Sequence, residues 1–122
     1  MATNFPTDPA GGVSIVLDDD DYAFMTLSGT NTVAIYQRRA GAFYIGSNGY
    51  LTMDSGDDEY AESFALHFNR PRVSALFDDL DPEMGGTISW KQLNDRVAVT
   101  FIDVPEYDAL SRRNSFQIEL FF

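Results

Sequence analysis

The sequence predicts an all-β fold, an antiparallel β-sandwich, and three observations carry that prediction. Apolar residues recur with period two along short runs, turn residues separate the runs, and only one stretch has spacing compatible with a helix. The chain has 122 residues, enough for one domain with a real core and too few for two. Ten Phe, six Tyr and one Trp supply large buried areas, so the core needs no covalent staples.

Residues 1–12 hold two prolines and two adjacent glycines and read as a lead-in segment; residues 13–122 read as the single sandwich domain. Val13, Ile15 and Leu17 alternate with Ser14, Val16 and Asp18 in the first strand. Tyr22, Phe24 and Met25 open a second run, and Val33 to Tyr36 a third. Ala42–Ile45 and Tyr50–Met53 flank Ser47-Asn48-Gly49, a hairpin signal because Asn and Gly tolerate positive φ. Glu59 to Phe68 is the one place for a short helical turn.

Thr87–Leu93 and Arg96–Asp103 form the best-determined hairpin, with Asn94-Asp95 as a two-residue turn. That turn sets Gln92 against Val97, Trp90 against Val99 and Ile88 against Phe101. Ile88, Trp90, Val97, Val99 and Phe101 then share one face, and Ser89, Lys91, Ala98 and Thr100 the other. Ser115–Phe122 is the last strand, with Phe116, Ile118, Leu120 and Phe122 inward and Gln117 and Glu119 outward. Eight to ten short strands are expected in all.

Charge narrows the partners. With 19 acidic against 8 basic residues the formal charge is −11, which repels phosphate backbones and anionic membranes. No stretch approaches the roughly 18 apolar residues of a membrane span. Met1–Gly12 has neither a basic region nor an apolar run, so no signal peptide is expected there. The absence of cysteine excludes disulfides and thiolate metal sites, and a single histidine leaves little for a transition metal.

Candidate chemistry concentrates on acids. Asp78, Asp79 and Asp81, followed by Glu83, are close enough on one loop to serve as calcium ligands, since calcium takes six to eight oxygens. Their spacing is not that of an EF-hand. The competing reading makes Asp81 a turn starter before Pro82, with Asp78 or Asp79 accepting backbone N–H groups. Asp54–Glu59 is a second acidic patch, and Asp18–Asp21 reads as a solvated turn between strands. A glycosidase needs two carboxylates facing across a cleft, which acids on one loop do not provide. His67, between Leu66 and Phe68, reads as packed or capping, and no Gly-x-Ser-x-Gly elbow accompanies it.

Trp90, Tyr36 and Tyr44 could offer a platform for sugar rings, although the hairpin register sends Trp90 to the core. Tyr107, on the loop Pro105-Glu106-Tyr107-Asp108, is the better exposed contact. Arg72, just ahead of a buried strand, is expected to pair with a nearby aspartate.

Six motifs in order carry a family resemblance: Phe43-Tyr44-Ile45-Gly46-Ser47-Asn48-Gly49-Tyr50-Leu51-Thr52, Pro71 to Pro82, Gly85-Gly86-Thr87, Asp95-Arg96-Val97, Asp103-Val104-Pro105 and Asn114-Ser115-Phe116-Gln117. Together they resemble the nidogen-like β-sandwich module of secreted and cell-surface proteins, from about Val13 to the end. Bacterial relatives sit as accessory domains in large exported polypeptides, some beside subtilisin-like peptidases. The resemblance implies a non-enzymatic extracellular module for adhesion or for presenting neighbouring domains. The alternative is a carbohydrate-binding module, which an exposed coplanar aromatic pair on one sheet face would favour. The third reading is a glycoside-acting enzyme, which would need facing carboxylates in a cleft. Protein or glycan partners and other domains of a parent polypeptide are the expected contacts. Two departures stand out: the family more often has asparagine at the position of Asp103, and its strand like Ser115–Phe122 runs on into an Asp-Gly turn and a further strand. That strand is therefore expected here as an open edge, able to pair two copies into a homodimer.

Overall fold

In the computed structural model, which describes residues 4–122, ten strands form three antiparallel sheets. The strands are β1 (Val13–Ile15), β2 (Tyr22–Thr26), β3 (Val33–Ile35), β4 (Arg38–Ala40), β5 (Ala42–Gly46), β6 (Tyr50–Thr52), β7 (Arg72–Ser74), β8 (Thr87–Gln92), β9 (Arg96–Glu106) and β10 (Ala109–Phe121). One sheet has the order β1-β8-β9-β10, a second β2-β5-β6-β7, and β3 with β4 makes a small hairpin. The sandwich prediction holds: Phe43, Ile45 and Leu51 of the second sheet and Ile88, Val97, Val99, Phe101, Ile118 and Leu120 of the first bury one common core.

The β8–β9 hairpin has the register read from its turn, with Ile88 opposite Phe101, Trp90 opposite Val99 and Gln92 opposite Val97. Leu93 N–H donates to Arg96 O across Asn94-Asp95 at 2.8 Å. Trp90 is half-buried against the core rather than wholly inside it. Ala98 and Thr100, on the opposite face, are buried too, because the lead-in lies over that side. Thr7 N–H donates to Gln117 Oε1 (3.0 Å), Gln117 Nε2 returns a bond to Thr7 O (2.7 Å), and Lys91 Nζ reaches the carbonyls of Asp8 and Ala10.

Three boundaries differ from the sequence reading. β9 runs on through Pro105 to Glu106, and β10 begins at Ala109 rather than Ser115, so only Tyr107-Asp108 forms the turn. Two irregularities hid this continuity by breaking the alternation. Residues 110–112 bulge out of β10, and β9 carries an extra residue at Asp103, whose φ is +53°. Ser115 Oγ accepts the Asp103 N–H at 2.9 Å and pins that bulge. The helical turn shrinks to α1 (Phe64–His67), where Ser63 Oγ accepts the Leu66 N–H at 3.0 Å.

Candidate metal centre

Loops that are distant in sequence meet at one end of the sandwich. The β5–β6 turn organises them. Gly49 has φ +88°, and a Cβ there would fall 1.8 Å from Leu76 O, so only glycine allows this approach. Gly49 O in turn accepts the N–H groups of Ala75 and Leu76 at 3.3 Å. Asn48, read from sequence as a turn former only, is completely buried. Its Nδ2 donates to Asp20 Oδ1 (2.8 Å) and Glu59 O (3.3 Å), and its Oδ1 accepts the Leu80 N–H (2.8 Å). Ser47 and Asp21 exchange two further bonds, at 2.8 and 2.9 Å. One side chain and one turn thus hold the loops after β1, β6 and β7 together.

That arrangement gathers carboxylates. One oxygen from each of Asp19, Asp20 and Asp79 lies within 4.8 Å of the others. Oδ1 of Asp19 and Oδ1 of Asp79 are buried and have no hydrogen-bond partner. An unpaired buried acceptor is costly, and more so when it carries charge beside like charge. Burial first, and then Asp20, Asp81 and Asp79, push the Asp19 carboxyl up to about 6. Burial, then Asp20 and Asp78, also raise Asp79. Oxygen-only ligands in a repulsive cluster suit a hard divalent cation, above all calcium, whose loose geometry also accepts backbone carbonyls and water. The orphaned oxygens therefore fit such an ion.

Of the three residues expected to bind calcium, only Asp79 enters the cluster. Asp78 Oδ1 accepts the Asp79 N–H at 2.9 Å, and Asp81, nearly buried, caps a 3-10 turn by accepting the Glu83 N–H at 3.1 Å. Both do the turn-making work that competed with ligation in the sequence. Asp19 and Asp20 belong to the run expected to be a solvated turn; instead both are half-buried. The signal for them was present as a run of four acids, but not the fold that folds it back onto Asp79. Tyr107 is 46% exposed and adjoins the cluster through its N–H, which donates to Asp79 O at 2.8 Å.

The remaining candidates are elsewhere. In the second acidic patch Asp57 is claimed by Arg72 and lies 3.7 Å from Arg70, while Asp54 pairs with Arg38 at the surface. Arg72 thus pairs with an aspartate, as expected, and is fully buried over the rings of Tyr50 (4.3 Å) and Phe77 (4.9 Å). His67 Nδ1 lies 3.1 Å from Ser74 Oγ. The N–H groups that follow Ser74 are spent on Gly49 O, and no carboxylate hydrogen-bonds His67 among the described residues, so the parts of an acyl-transfer site are not assembled there. Tyr44 and Trp90 lie in different sheets and Tyr36 in the turn between β3 and β4, so the three come from separate parts of the fold. Tyr44 instead contacts Tyr22 at 78° and Phe24 at 49° between ring planes.

Compared with protein-family profiles, curated proteins and solved structures, the chain matches none. Among the described residues no helix is long and apolar enough to cross a membrane.

Proposed function

We propose that the chain is a non-enzymatic β-sandwich module of an exported protein, serving adhesion or the presentation of neighbouring domains, with calcium tying its loop end together. One observation carries the calcium reading: the buried, partnerless Oδ1 atoms of Asp19 and Asp79 beside the Asp20 carboxylate. The motif resemblance to nidogen-like modules and the net charge of −11 support a surface-presenting role. A half-exposed site of three carboxylates also suits the weak affinities of extracellular calcium modules, on the order of 10⁻⁴–10⁻³ M. The carbohydrate-binding alternative would rest on Tyr22, Phe24 and Tyr44, but their inclined rings give no flat pair for a sugar to stack on. A glycan array separates that alternative directly.

The test of calcium is thermal unfolding in EDTA and then in millimolar calcium, with the Asp79→Asn variant alongside. A ligand that binds only the folded state raises Tm by mass action. The native chain should gain Tm with calcium, and the variant should gain none while starting higher in EDTA, because a repelling charge has gone. No calcium shift in the native chain would return these aspartates to turn-making.

A further inference from the structure

We infer that the pocket beside α1 is a site for a quaternary ammonium ligand, a choline-type cation held by aromatic rings and one carboxylate. The inference is independent of the calcium site. The pocket has a volume of about 510 Å³, within the range of small-molecule sites, and is lined by Phe64, Phe68 and Phe77 with Glu62, Ser63 and His67. Phe64 is 88% exposed and Phe68 62%, and no residue of α1 is buried, so these two rings add nothing to the core. Contiguous apolar surface that a fold leaves open is where ligands and partners bind.

Polar ties behind the rings fix their frame. Arg72 donates to Leu66 O at 3.2 Å and to His67 O at 3.4 Å, which fastens α1 to β7. His67 Nδ1 meets Ser74 Oγ at 3.1 Å, and the imidazole stands edge-on to Phe68 with centroids 4.7 Å apart. Tyr50 packs on Phe77 at 5.0 Å. Phe64, Phe68 and Phe77 form no aromatic pair with one another, so a guest can enter between them.

The chemistry of the lining selects the guest. Ser63 Oγ is engaged by the Leu66 N–H and His67 Nδ1 by Ser74, which leaves little to hydrogen-bond a sugar or a phosphate. No lysine or arginine lines the pocket, so nothing there holds an anion. The ring faces remain, together with the Glu62 carboxylate, which has no ion pair among the described residues. Both attract a cation that brings apolar surface and asks for no hydrogen bond, as a quaternary ammonium does. The Arg72 guanidinium, 4.9 Å from the Phe77 ring centroid, is neutralised by Asp57 and does not cancel this attraction. A net charge of −11 also draws cations to the surface.

Amide chemical shifts of the isotope-labelled chain, titrated at constant ionic strength with choline and with its uncharged tert-butyl analogue, test the site. Choline should move the amides of residues 62–68 and of Phe77 with a millimolar Kd, and the neutral analogue should bind at least about fivefold more weakly. Glu62→Gln, Phe64→Ala and Phe68→Ala should each weaken choline about two- to fivefold. All three residues are exposed, so Tm should not change, which separates lost binding from lost fold. Phosphocholine bound as tightly as choline assigns the ammonium to a headgroup, and phosphocholine bound more weakly assigns it to a free base; either supports the site. Equal affinity for the charged and neutral probes makes this a plain apolar groove and overturns the proposal. So does an absence of shifts at high-millimolar choline, or shifts confined to Asp19, Asp20 and Asp79.

Discussion

The side-chain amide of Asn48 donates to the Asp20 carboxylate at 2.8 Å, so the residue that makes the β5–β6 turn also holds one wall of the acidic cluster. Its other end accepts the buried Leu80 N–H. Asn48→Ala leaves that N–H unpaired and should destabilise the chain by about 1–3 kcal/mol. Asn48→Asp should cost more, because it replaces a donor with a charge facing Asp20 and the Glu59 carbonyl. Urea unfolding of the two variants checks both the loss and its order.

The Asp19 carboxyl makes stability depend on pH in an unusual direction. Its pKa is pushed up to about 6 from an ordinary value of 3.8, so the folded chain binds this proton more tightly than the unfolded chain does. In EDTA, this group's contribution to stability should therefore rise as pH falls from 7 through 6, and level off near 3.8 where the unfolded chain is protonated as well. Calcium needs the ionised form, so the calcium-induced gain in Tm should shrink over the same window. Melting curves from pH 7 to 4 report the slope, and Asp19→Asn should be shallower than the native chain by this group's share, with the raised Asp79 carboxyl still contributing.

Arg72 places a charge at zero exposure, held by Asp57, by the carbonyls of Leu66 and His67, and by two aromatic faces. Arg72→Ala leaves the nearly buried Asp57 with only its longer 3.7 Å contact to Arg70, and should cost about 3 kcal/mol. Arg72→Lys should recover only part of this, since an ammonium cannot reproduce the planar fork or its stacking. Chemical denaturation of the pair of variants, with Asp57→Asn combined with Arg72→Ala, shows how much of the loss is the stranded charge.

Asp103 sits at φ +53° in the β9 bulge, where a Cβ on the facing Gly86 would meet its backbone at 2.6 Å. Asparagine adopts this left-handed conformation as readily as any non-glycine residue, and its amide oxygen can keep the Ser115 contact. Asp103→Asn should change stability by under about 0.5 kcal/mol, and Asp103→Ala should lose about 1 kcal/mol. Thermal melts distinguish the two.

Residue pattern alone was sufficient for the all-β class, the β8–β9 register and the inward set Phe116, Ile118 and Leu120 of the last strand. Each depends on neighbours joined by a short turn, where two-residue periodicity and turn geometry leave one consistent pairing. The Asn48-Gly49 turn was legible for the same reason, but the burial of Asn48 was not, because nothing local says which loops will close over it. The calcium candidates show the same division. Asp78, Asp79 and Asp81 are adjacent in sequence, yet two of them face backbone N–H groups, and the partners of Asp79 come from a loop some sixty positions earlier. Arg72 found its aspartate at Asp57 and not on its own strand's loop. Periodicity encodes which side of a strand is apolar; it carries no information about which loop ends share a corner of the sandwich. That is decided only when strands from opposite ends of the chain pair, and the tertiary structure alone brought Asp19 and Asp20 to Asp79.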